Sequence, residues 1–149
     1  MIKIYLCAIL ITLPLFSLNP IFTIDKKVNS IELNIKKHYY SIKNIEVGEE
    51  DSGKSIKVYY DDAYNIKNIS IYSSSGTYLQ QYAKYYYNNK KIIYSYIQTI
   101  YDYGNCNIKI KNYFKNNKKI KRVIINKDKC PLKLLYPDLI KDYKELLEY

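Results

Sequence analysis

A hydroxyl, thiol or carboxylate does covalent or acid–base chemistry only beside a group that can move its proton. This chain of 149 residues offers one histidine, His38, and no nucleophile lies near it in sequence. His38 borders the apolar stripe of a helix and reads as a rim residue. The serines concentrate in Ser73-Ser74-Ser75, followed by Gly76, which is turn chemistry. Asp61 and Asp62 are adjacent, so on a turn their carboxylates diverge instead of flanking a bond. Four glycines in the whole chain leave no phosphate-cradling loop. No catalytic residue, cofactor or metal is expected, and the chain reads as non-enzymatic.

Two clusters could hold a metal, and both have a plainer reading. Glu46, Glu49, Glu50 and Asp51 gather around Gly48 and Gly53, but their spacing is not that of a calcium loop. They read as a solvated connection. The cysteines are Cys7, Cys106 and Cys130, too few beside one histidine for a zinc site. Cys106 and Cys130 read as a disulfide closing a loop of about 25 residues, worth roughly 3 kcal/mol on the chain-entropy model.

Charge supplies a binding chemistry instead. Lysine and arginine outnumber the acids 24 to 14, and Arg122 is the one arginine. Lys90, Lys91, Lys118, Lys119, Lys121 and Arg122 gather around two Asn-Asn turns and together could meet the phosphates of an anionic envelope polymer or lipid surface. The competing reading is solubility and edge protection, in a composition that an AT-rich genome also produces. Twenty tyrosines suit a second use, a protein contact through the sheet, because tyrosine buries area at little entropic cost. A protein-interaction module is the leading reading, and the electrostatic binder is the alternative. Nucleic acid would suit the same lysine and tyrosine mixture, but export argues against it as a target.

Export is read from the N-terminus. Met1, Ile2 and Lys3 start the chain, Ile4 to Phe16 is almost wholly apolar, and Ser17, Asn19 and Pro20 break the run. That is the layout of a secretory signal peptide over 1–20, or of an uncleaved anchor, the only membrane contact expected. An exported chain would be periplasmic or secreted, where a cysteine pair oxidises. Residues 21–149 then form one α+β domain.

These groups need elements to position them. Ile24, Val28, Ile31, Ile35, Tyr39 and Ile42 fall at helical spacing, with Thr23 as N-cap. After Gly53 the period becomes two: Ile56, Val58 and Tyr60 oppose Lys57 and Tyr59, the pattern of antiparallel strands with one buried and one wet face. Strands are predicted near 55–60, 66–72, 82–87, 91–101, 107–115 and 119–126. A short C-terminal helix from Tyr136 to Tyr149 lines up Leu139, Tyr143, Leu146 and Leu147. Strand order and oligomeric state are not legible.

Two hairpins repeat. Tyr85-Tyr86-Tyr87-Asn88-Asn89-Lys90-Lys91-Ile92 matches Tyr113-Phe114-Lys115-Asn116-Asn117-Lys118-Lys119-Ile120 at an offset of 28. Asparagine tolerates the left-handed backbone of a tight turn. Cys106 and Cys130 lie almost symmetrically about the second turn.

The segments "YYYNNKKII" and "NYFKNNKKIKRVI" resemble hairpins of uncharacterised exported bacterial proteins, in which a helix precedes an antiparallel meander with "YYF-x-N-G-K-L" turns. The likeness covers about Ile24 to Asn126, with Lys90 and Lys118 where the usual glycine stands. It implies export and the helix-plus-meander fold, and no known activity. The glycines that define MORN-type repeats are absent, so no lipid or partner function carries over.

Overall fold

The computed structural model describes residues 19–49, 52–76, 79–101 and 106–126. Helix α1 (Pro20–Lys36) is followed by strands β1 (Ser41–Glu49), β2 (Ser52–Tyr60), β3 (Ile66–Ser75), β4 (Leu79–Asn88), β5 (Lys91–Tyr101), β6 (Cys106–Lys115) and β7 (Lys118–Asn126). The strands pair antiparallel in chain order, a seven-stranded meander. The predicted C-terminal helix, Cys130 and most of the leader lie outside the described residues. No described helix is long and apolar enough to cross a membrane.

The helix starts earlier and stops sooner than its stripe suggests. Asn19, not Thr23, is the N-cap: its side-chain oxygen accepts from the Ile21 amide at 3.0 Å, and Pro20 follows with its φ already set for a helix. At the other end Tyr39 N donates to Asn34 O and His38 N to Ile35 O, both near 3 Å, while His38 sits at φ 56°. This pair of bonds satisfies the last carbonyls and turns the chain out of the helix. His38 is therefore an exposed C-terminal cap residue and not a rim residue of the packed face. Tyr39 and Ile42, expected on the helical stripe, fall beyond it.

The acidic connection is also revised. Glu46 and Glu49 belong to β1, an edge strand, so the sheet has seven strands where six were expected. Its polar, exposed sequence follows from its place: it has one neighbour, and of its residues Ile45 packs against the core. Gly48 at φ 121° faces Gly53 across the β1–β2 ladder.

Strand alternation sorts the side chains onto two faces, and each face has a core. Ile56, Val58, Ile69, Ile71, Ala83, Tyr85, Ile97, Ile108 and Ile110 form the larger one. The other face is not uniformly wet. One row runs across it from strand to strand: Ile42, Tyr59, Asn68, Tyr86, Tyr94, Tyr113 and Lys121. Helix α1 lays Ile24 and Ile31 on the tyrosines of that row, with Val28 and Ile35 at the margin. Ring centroids of Tyr86 and Tyr94 stand 5.5 Å apart, and those of Tyr94 and Tyr113 5.1 Å, close to edge-on.

Three hairpins share one construction. A register shift follows Tyr59 in β2, Tyr86 in β4 and Tyr113 in β6, leaving Lys67, Ile93 and Ile120 as extra residues on the returning strands. The interval is 27 residues each time, not the 28 of the sequence match. The first turn uses Asn89-Lys90 and the second Asn116-Asn117, all with positive φ near 49–62°. Parity is the reason. At an interval of 28, Tyr113 would take the place of Tyr85 on the face away from the helix. At 27 it takes the place of Tyr86, beneath it, since a one-residue slip reverses every side chain.

Candidate functional site

In a meander the turns alternate between two ends. The β2–β3, β4–β5 and β6–β7 turns share one end, and α1 begins there. A groove of about 450 Å³ at this end is lined by Pro20 and Thr23 of α1, by Asn88 and Lys91 of one hairpin and by Phe114 and Asn116 of the other. A neighbouring groove of about 390 Å³ adds Lys26, Lys27 and Ser30. The floor is apolar, with Ile24 and Ile93 in both grooves.

Each turn owes its shape to its own residues. In the β2–β3 loop, Asp61 Oδ1 accepts from the amides of Ala63 and Asn65, and Oδ2 lies 2.7 Å from Lys67 Nζ. The hydrogen bond from Lys67, then that from the Asn65 backbone, holds the Asp61 carboxyl down at about 2. This aspartate is used in building the loop. The other two turns are two-residue turns in the left-handed region, where asparagine is at home and Lys90 is tolerated.

The six basic candidates do not form one cluster. Lys90 and Lys91 at one turn and Lys118 and Lys119 at the next are exposed and share the α1 end of the sheet. Lys121 and Arg122 lie further along β7, on opposite faces. Lys121 is beside Tyr113 on the helix side, and Arg122 Nε donates to Asn112 Oδ1 at 3.0 Å on the other. Arg122 thereby completes a chain in which Asn112 also donates to Ser95 Oγ at 3.0 Å. Sequence reading missed three cations that the fold brings to the same end: Lys26 and Lys27 on α1, and Lys115 before the second turn. Lys26 and Lys27 sat in view as the polar face of a helix, but nothing local to them showed which end of the sheet that helix would reach.

A second surface lies beyond the helix. Glu32 on α1 accepts from Tyr86 Oη at 2.5 Å and from Lys84 Nζ at 3.0 Å, tying the helix to β4. Burial first, then this carboxylate, pushes the Tyr86 phenol well above its ordinary range; burial does the same for Tyr94. Further from the lysine end Tyr72 and Tyr82 pair across β3 and β4 with centroids 4.9 Å apart, and Tyr82 is 40% exposed. Beside them Tyr96 donates to Gln98 at 2.9 Å and Gln98 to Asn107 at 3.0 Å.

Cys106 opens β6 in the larger core, 5% exposed. Its prospective partner Cys130 is outside the described residues. Among the described residues no three of His, Cys, Asp and Glu come close enough to hold a metal ion. No family model, no curated protein and no solved structure matches the chain.

Proposed function

We propose that this is an exported, non-enzymatic binding protein that engages an anionic partner through the lysine-bearing end of its sheet. The observation that carries this reading is the convergence of three separate segments, the N-terminal half of α1 and two hairpin turns, on one end with Lys26, Lys27, Lys91 and Lys115 around an apolar groove. Lysines placed only for solubility or edge protection would have no reason to meet there. Export is supported by the charged start and apolar run of the leader, and by the Cys106–Cys130 pair, which an oxidising compartment would join.

A second reading has its own observation. The tilted, partly exposed pair Tyr72 and Tyr82 suits a protein partner on the sheet face, with tyrosine as the contact residue. Capture from the cell envelope with the oxidised protein separates the two. Phosphate-rich polymer or lipid released at modest salt supports the lysine end. A single protein that stays bound at high salt, and leaves when Tyr72 and Tyr82 become alanine, supports the tyrosine face and displaces the first reading.

A further inference from the structure

We propose that the anionic partner is a lipid bilayer, and that the lysine-bearing end rests on its headgroups. This rests on the reading that this end binds anions, and goes beyond it in choosing a surface over a soluble polymer.

The choice comes from what stands among the lysines. Phe22 in the first turn of α1 is 61% exposed, Tyr64 in the β2–β3 turn 85%, and Ile120, the extra residue behind the β6–β7 turn, 42%. A soluble polyanion gains nothing from them. At a membrane interface, aromatic and branched side chains sit among the headgroups while lysine ammoniums meet the phosphates. Single exposed apolar residues are ordinary, but these three come from different segments and share one end with the cations.

Charge points the same way. At this end Asp61 is taken up by Lys67, and Asp25, bonded to Tyr113, and Asp62 stand against Lys26, Lys27, Lys90, Lys91, Lys115, Lys118 and Lys119. A surface so net basic turns towards an anionic leaflet.

The test is lysine acylation of the full chain on vesicles, read by mass spectrometry. On phosphatidylglycerol-containing vesicles Lys26, Lys27, Lys90, Lys91, Lys118 and Lys119 should lose reactivity several-fold, while Lys54 and Lys109 keep theirs. Pure phosphatidylcholine vesicles should give no such pattern. Each of Lys90, Lys91, Lys118 and Lys119 changed to Gln should lower partitioning onto the anionic vesicles about fivefold. Phe22→Ser with Ile120→Ser should weaken vesicle binding yet leave binding to soluble polyphosphate unchanged. Equal protection of near and far lysines, or full vesicle affinity in the Phe22→Ser, Ile120→Ser protein, would overturn the proposal. Polyphosphate binding without vesicle binding would refute the bilayer and spare the anion-binding reading. Binding to neither would remove both.

Discussion

Glu32 Oε1 lies 2.5 Å from Tyr86 Oη and 3.0 Å from Lys84 Nζ, so one helical carboxylate fixes α1 to the fourth strand of the sheet. A hydrogen bond to a charged group is worth about 1.5–3 kcal/mol, less where solvent reaches it. Glu32→Ala should therefore lower unfolding free energy by about 1–2 kcal/mol. Urea denaturation should show a lower midpoint with an unchanged slope.

The same row of tyrosines sets an alkaline limit. Tyr86 and Tyr94 have folded pKa values raised above the ordinary 10.0, burial being the main cause. A group raised in this way contributes stability that is fully present below its unfolded pKa and is lost as pH rises through the folded value. Stability should hold up to about pH 10 and fall above it. Tyrosinate absorbance from the buried rings should appear together with loss of far-UV dichroism. Stepwise ionisation with the sheet intact would contradict the packing of α1 on this row.

Gly48 is held at φ 121°, and a Cβ there would meet Ser52 O at 2.4 Å and Gly53 Cα at 2.6 Å. Backbone atoms cannot step aside as a flexible side chain can. Gly48→Ala should cost roughly 1–3 kcal/mol, as strained left-side backbone usually does, and a thermal melt should show it.

The two-residue turns run the other way. Lys90 and Asn117 sit at φ 61° and 62°. Glycine visits that region freely, so Lys90→Gly and Asn117→Gly should each add about 0.5–1 kcal/mol. If Asn88-Asn89 were the turn instead, Lys90→Gly would destabilise. The sign of the change therefore reads the register directly.

Much of this fold was legible and some was hidden for identifiable reasons. Ile24, Val28, Ile31 and Ile35 announced the packed face of α1, and Ile56 and Val58 the alternation of β2, because burial writes its period into apolar residues. β1 was not legible: an edge strand buries little, so Glu46 and Glu49 left it looking like a loop. The repeated Asn-Asn-Lys-Lys marked two hairpins but misplaced one turn by a residue, because which face a tyrosine must take depends on α1, distant in sequence. The candidate site was half visible for the same reason. Lys90, Lys91, Lys118 and Lys119 cluster in sequence, whereas Lys26 and Lys27 join them only through topology.

The proposed Cys106–Cys130 bridge makes a linked prediction. Reduction should lower stability by about 3 kcal/mol. Cys130→Ala should lose the same amount, and reducing that variant should cost nothing more. A variant still sensitive to reductant would refute the pairing.

Position, not total charge, would make the lysine-bearing end a binding surface. Two variants of equal net charge decide it: Lys90, Lys91, Lys118 and Lys119 to Gln at the turns, against Lys54, Lys57, Lys109 and Lys111 to Gln on the strands. Binding to soluble polyphosphate is measured across a salt series. Seven lysines releasing counterions would weaken wild-type binding about a thousandfold between ~50 and ~200 mM salt. The turn variant should bind more than about tenfold weaker, with a shallower salt slope, while the strand variant stays near wild type. Equal losses in both would mean that only the sum of charge matters, and the lysine-bearing end would cease to be a site.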